Sequence, residues 1–179
     1  MMSKVNQQER LSRNERLKYF LAGFIEGEGS LTVSIKAHPT AKFGYYVDPE
    51  FFVYQHEAGK RLLELTKELF HTGRIYPKPQ NETVLVYGVT SRRSIVEKVI
   101  PYFEKYVAPY SAKKETFLVF KEICDLMEQG EHKTAKGLLG IVEKAYQMNP
   151  HSKGRERSRT IEEIRERILR DYTPEAKQE

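Results

Sequence analysis

Cysteine is nearly missing from this chain. Cys124 is the single one in 179 residues, which excludes an intramolecular disulfide framework and a cysteine-based zinc site. Long apolar runs are missing too: nothing approaches the roughly 18 consecutive apolar residues that a membrane-spanning helix needs. The opening stretch, MMSKVNQQERLSRNER, is polar and has no apolar core of the kind a secretory signal carries. These absences lead to the expectation of an intracellular, soluble chain with no membrane partner. Neither an internal repeat of the first helix nor a low-complexity tract is present. Charge of one sign is also in short supply. Lys and Arg number 30 against 25 Asp and Glu, a formal net charge of +5. Such a bias permits a polyanionic partner without requiring one. What is there is ordinary globular material, 39% apolar and 31% charged, in a length expected to form a single domain over 1–179.

Hydrophobic spacing divides the chain into elements. Leu17, Phe20, Leu21, Phe24 and Ile25 recur at three- and four-residue steps, predicting a helix over 14–27 with Asn14 as N-cap and Gly27 or Gly29 as its stop. Residues 30–36 alternate strictly, with Leu31, Val33 and Ile35 on one face and Thr32, Ser34 and Lys36 on the other. A strand with one apolar face has one side against a core and one side open. After a Pro- and Gly-bearing loop, a second strand is expected over 45–55 and a helix over 56–70. Short strands at 73–78 and 83–89 join as a hairpin through the polar turn at 79–81. A third helix at 91–106 starts at a Ser cap. Further helices follow at 113–128, 133–148 and 160–170, with a basic connector over 151–159. Antiparallel strands with helices on one side make an α+β layer fold.

The chemistry concentrates at LAGFIEGEG, residues 21–29. Gly23 and Gly27 share one helix face, and each interior glycine costs roughly 1 kcal/mol against alanine, so close packing of another backbone is a reason to keep both. Glu26 and Glu28 diverge by about 200° around a helix. Carboxylates at a helix C-terminus are disfavoured by the dipole, and a divalent cation is one source of compensation. Spacing alone favours a plain amphipathic helix with a glycine stop and two solvated glutamates.

LAGFIEGEG resembles the LAGLIDADG motif of homing endonucleases, with conservative changes at Phe24, Glu26, Gly27 and Glu28. The alternating strand that follows and the element order resemble that family over roughly 14–150, as do SAKKETFLVFK (111–121) and the segment around HKTAKG (132–137). The resemblance implies an αββαββα fold with an antiparallel, saddle-shaped DNA-binding sheet and additional C-terminal helices. It implies a homodimer, since one motif is present, with Phe20, Gly23, Phe24 and Gly27 in the seam between two motif helices. Glu28 matches the metal-binding acid, with the Gly27 carbonyl as an extra ligand, and Glu26 matches an acid whose role is structural. The implied reaction is Mg²⁺-dependent phosphodiester hydrolysis of both DNA strands across one minor groove, leaving short 3′ overhangs. Mn²⁺ is expected to substitute, and Ca²⁺ to bind without cleavage.

Other site residues follow from the same resemblance. Gln55 matches a position that orders the water network, and the basic residue expected just after it falls at Gly59, with Lys60 or Arg61 as substitutes. Lys113 or Lys114 matches the active-site lysine. The open strand face would enter the DNA major groove, where an antiparallel ribbon fits. Thr32, Ser34, Lys36, Tyr46, Arg74, Tyr76 and Lys78 are its candidate readers, and Lys42 is a candidate phosphate contact. Lys153 and Arg155 in the basic connector would add salt-dependent affinity. Cys124 reads as a buried small hydrophobe, and His56 and His71 as structural or surface residues. Two alternatives share the fold: a maturase whose partner is intron RNA, and a catalytically inactive DNA-binding protein.

Overall fold

The structure, a computed structural model, describes residues 11–148 and 159–170. The order is α1 (Arg13–Glu28), β1 (Gly29–Ala37), β2 (Tyr45–His56), a 3₁₀ turn (Glu57–Gly59) running into α2 (Lys60–Phe70), β3 (Arg74–Lys78) and β4 (Asn81–Val89). A continuous helical run over 92–107, here α3, is followed by α4 (Lys114–Glu128), α5 (Ala135–Gln147) and α6 (Ile161–Arg170). The expected αββαββα order is therefore present, with three more helices after it. Among the described residues no helix is long and apolar enough to cross a membrane.

The four strands form one antiparallel sheet in the order β1-β2-β4-β3. Its register pairs Gly29 with Val53 and Lys36 with Tyr46 across β1 and β2. Period-two alternation then sends Leu31, Val33, Phe51, Val53, Tyr87 and Val89 into one buried cluster. Helix residues such as Ile25, Leu63, Phe103, Phe117 and Phe120 complete that cluster from the same side, and among the described residues the opposite face of the sheet carries no helix. Phe51 sits at its centre. Its ring meets Phe70 at 5.6 Å, Tyr87 at 6.2 Å and Phe103 at 5.4 Å, each edge-on, the arrangement that ring quadrupoles favour. Cys124 is fully buried among these residues, and burial pushes its thiol up to about 12.

Several boundaries differ from the sequence reading for local reasons. The first helix is capped by Ser12 rather than Asn14, because the Ser12 hydroxyl accepts the Glu15 N–H at 3.1 Å, filling an otherwise orphaned donor. The 56–70 helix begins later, at Lys60. His56 ends the strand and its Nδ1 accepts the Ala58 N–H at 3.1 Å, while His71 stops α2 in a left-handed conformation at φ 49°. In α3, Pro101 lacks the N–H that a regular helix needs. Wider π turns flank it at Ile95–Val99 and Phe103–Val107. The β3–β4 hairpin turns through Gln80 at φ 67°, and Pro77 falls on the edge strand β3, where a missing donor is tolerated. In α6, Ile164 and Ile168 are buried, and α6 packs on α5.

Candidate active site

The candidate site is built at the junction of α1 and β1, which has no linker: Glu28 is the last residue of the helix and Gly29 the first of the strand. Gly29 caps the helix with its N–H on the Ile25 carbonyl while its own backbone is already extended. A side chain at Gly29 would run into that same carbonyl oxygen, so only glycine permits this direct turn. The two acids separate as their spacing predicts. The Glu26 carboxylate accepts the Ser111 hydroxyl at 2.6 Å and the Ala112 N–H at 3.1 Å. It thereby fixes the start of α4 against α1, a structural task. Glu28 is exposed and makes no hydrogen bond or ion pair with any described residue.

The same geometry separates the two candidate lysines. Lys113 Nζ donates to the Glu26 carbonyl at 2.7 Å and to the Gly29 carbonyl at 3.2 Å. It sets a positive charge on the negative end of the α1 dipole, where the last carbonyls lack helical partners. Lys114 is exposed and reaches none of these groups. Glu28, the Gly27 backbone and Lys113 are therefore together at one end of α1. Gln55 lies two residues past the Val53–Gly29 pair, half-buried, with its Oε1 accepting the His56 N–H at 2.8 Å. A side chain at Gly59 would put its Cβ 2.6 Å from Gln55 Cγ, so Gln55 occupies the space a basic residue there would need. Neither substitute is free: Lys60 pairs with Glu64 at 3.7 Å, and Arg61 with Glu68 at 2.9 Å.

The described residues contain no cluster of three or more His, Cys, Asp or Glu side chains fit to hold a metal ion. One chain alone offers Glu28 and a Gly27 carbonyl, hard oxygen donors of the right type for Mg²⁺ but few in number. The exposed face of α1 begins with Arg13 and Arg16 and is apolar in its C-terminal half. Phe20 is 59% exposed, Phe24 is half-buried, and a Cβ added at Gly23 or Gly27 would meet nothing within 4 Å.

The helix-free face of the sheet holds most of the candidate readers. Thr32 and Ser34 are half-buried there, and Arg74, Tyr76 and Lys78 are exposed. Lys36 is not a free cation. It pairs with Asp48 at 3.0 Å and Glu50 at 2.9 Å, and Ser34 also donates to Glu50. Lys42 folds back, with Nζ 3.3 Å from the Lys133 carbonyl and 5.1 Å from the Phe43 ring. Tyr46 lies 3.2 Å from the Thr40 hydroxyl. Lys153 and Arg155 lie outside the described residues.

Sequence reasoning missed Asp48, Glu50, Phe52, Tyr54 and Val86, which share this face. Period-two counting from Tyr46 along β2 would have found the first four. Burial raises the phenols of Tyr54 and Tyr76 above their ordinary value, with Glu50 adding to the effect. Also missed was Arg167 of α6, whose guanidinium stands 5.1 Å over the Tyr45 ring, against Gly44, and braces the turn between β1 and β2.

A four-stranded antiparallel sheet with one open face, led by a helix that ends in an exposed carboxylate, defines a class of two-layer α+β proteins. Comparison with known proteins gives the family. The sequence profile described as LAGLIDADG endonuclease matches residues 21–124, and the chain belongs to that family. It is 40% identical over 143 residues to DNA endonuclease I-CeuI of Chlamydomonas moewusii, covering 79% of this chain and 66% of that protein, just under two thirds of its length. It is 31% identical to homing endonuclease I-ApeII of Aeropyrum pernix, covering 83% of this chain and 87% of that protein. Among solved structures, a group I intron-encoded homing endonuclease, I-CeuI, complexed with DNA superposes with a TM-score of 0.80 at 34% identity, over 89% of this chain and 79% of that one. An archaeal intron-encoded homing endonuclease complexed with DNA gives 0.82 at 32% identity, over 89% and 98%.

Proposed function

We propose that the protein is a site-specific homing endonuclease. In this reading it binds a long, partly palindromic duplex DNA site as a homodimer and cuts both strands with short 3′ overhangs. The observation that carries the reading is the α1–β1 junction. It sets an exposed carboxylate, unpartnered among the described residues, beside an ammonium group anchored on the same helix end, at the start of a sheet with one open face. Relatives named as endonucleases, two of them solved with DNA, support the substrate class.

A second copy of the chain completes the site. Two α1 helices packed along Gly23 and Gly27 approach closely because no side chain stands between them. The contact withdraws Phe20 and Phe24 from water and brings two Glu28 carboxylates to one end of the seam. Two acids there, on helix ends of unfavourable dipole, call for a divalent cation held by Glu28 and the Gly27 carbonyl. Bound Mg²⁺ supplies polarisation of the phosphate, an activated water and stabilisation of the leaving 3′ oxygen. Mn²⁺ would substitute, while Ca²⁺ would support binding without cutting. The chain's own groups do the rest. Lys113 holds positive charge at the helix end, where charge grows on the phosphate. Glu26 keeps Lys113 in place through Ser111 and Ala112. The open sheet face enters the major groove, with Arg74 and Lys78 suited to guanine edges or phosphates.

The test is selection from random duplex DNA in Ca²⁺, followed by Mg²⁺. The expected product is a partly palindromic site of about two helical turns, cut on both strands. Glu28→Gln should bind that site as well as the wild type and leave it intact. Enrichment without cutting would identify an inactive DNA-binding protein. Binding only to structured intron RNA would identify a maturase.

A further inference from the structure

The open face of the sheet is divided in two. On β1 and the first half of β2 it is polar and internally paired, through Ser34, Lys36, Asp48 and Glu50. Toward β4 and β3 it becomes apolar. Tyr54 stands opposite Val86 from β2, and Tyr76 stands opposite the same residue from β3. Between the two tyrosines Val86 is only 3% exposed, although no helix among the described residues lies on this side. In the neighbouring row, Phe52 pairs with Gly88 and Gly88 with Arg74. A Cβ at Gly88 would lie 3.0 Å from Phe52 Cε1 and 3.1 Å from Tyr76 Oη, so ring and hydroxyl converge over bare backbone. The Phe52 and Tyr54 rings are 6.3 Å apart. Cations rim the patch: Lys78 Nζ stands 5.6 Å from the Tyr54 ring centroid, and Arg74 is exposed at the end of its row.

Tyr54 and Tyr76 flank Val86 on either side, and Tyr76 still remains 39% exposed. An apolar surface bordered by cations matches one feature of duplex DNA. In the major groove, thymine alone presents an apolar group to a protein, its C5 methyl, while guanine and the phosphates suit Arg and Lys. We propose that Phe52, Tyr54 and Tyr76 form a thymine-reading patch, so that the part of each half-site lying under β2, β4 and β3 is selected for thymine methyl groups. This rests on the endonuclease reading above and adds to it the base recognised and the residues that recognise it.

Deoxyuridine tests the patch directly, because it keeps base pairing and removes only the methyl group. The probe is the duplex enriched by the wild-type protein in Ca²⁺, with its thymines replaced one at a time. Each thymine under the patch should bind about fourfold more weakly as deoxyuridine, the effect of removing one apolar carbon from a contact, and thymines elsewhere should be unaffected. With Tyr76→Ser protein, the difference at one of those positions should vanish. The change is made on the DNA, so the main result does not depend on any variant folding. Equal binding of every thymine and deoxyuridine form would overturn the inference and leave the endonuclease reading standing, as would an enriched site with no thymine in that span. Failure to enrich any duplex would remove both.

Discussion

Replacing Lys113 by Met is expected to slow DNA cutting far more than it unsettles the fold. Lys113 Nζ lies 2.7 Å from the Glu26 carbonyl and 3.2 Å from the Gly29 carbonyl, and its side chain is exposed. Its contribution to stability is thus that of a surface cation at a helix C-terminus, about 0.3–1 kcal/mol and weaker in salt. In the proposed reaction its contribution is of another order. A positioned charge at the reacting phosphate is worth about 10²- to 10³-fold in rate, or roughly 2.7–4 kcal/mol of barrier. Single-turnover cleavage of the selected duplex in Mg²⁺, with urea unfolding of the same samples, separates the two. Lys113→Met should fall by about a hundredfold or more in rate and shift the urea midpoint only slightly. Lys114→Met should cut at nearly the wild-type rate, since Lys114 reaches no atom of the junction. If Lys114→Met is the slow variant, or if Lys113→Met cuts normally while losing several kcal/mol of stability, the assignment is wrong.

Other outcomes follow from the same structure. A Cβ at Gly23 meets nothing within 4 Å among the described residues, so the far-ultraviolet circular dichroism of Gly23→Leu should match wild type while sedimentation shows a monomer and cutting is lost; a dimer that persists contradicts the glycine seam. Phe51→Ala removes the ring on which three others converge and should cost about 3–5 kcal/mol in urea unfolding; a loss under about 1 kcal/mol would misplace the core. Burial, with Arg92 and Lys133 nearby, holds the His132 imidazole below its ordinary value, and its Nδ1 is buried without a hydrogen-bond partner among the described residues. The unfolded chain therefore takes up a proton first as pH falls. Stability is complete above the unfolded value near 6.5 and declines as pH drops toward the folded one. His132→Gln should flatten that slope; an unchanged slope would mean that His132 is not the group responsible.

The sequence was most readable where one local rule acted alone. Strict alternation from Ser30 to Lys36 placed β1 and its faces, and the spacing of Glu26 and Glu28 foretold that the two acids would part. The α3 run was found, but not its π turns, because how a helix accommodates Pro101 depends on what packs around it. Lys113 and Lys114 are adjacent and chemically alike, so only the position of the Glu26 and Gly29 carbonyls separates them. Lys36 read only as a candidate base reader because Asp48 and Glu50, which pair with it, are distant in sequence and meet it only once β1 and β2 are in register. The brace of Arg167 on Tyr45 joins parts of the chain so far apart that no periodicity encodes it.

The direct passage from Glu28 into Gly29 makes the molecule a ruler. In a protein that cuts the polymer its sheet reads, the distance from cutting group to reading surface is set by a single peptide bond, with no loop to take up slack. The zero mark and the scale are one continuous piece of backbone. Under the proposed function, a new target can therefore be met by exchanging side chains along the open face without moving the point of scission. The reverse change is closed: one residue inserted after Glu28 would turn every β1 side chain to the opposite face, exposing Leu31 and Val33 and burying Thr32, Ser34 and Lys36. Substitution is the route by which this scaffold varies, and the junction is the place where its length cannot change.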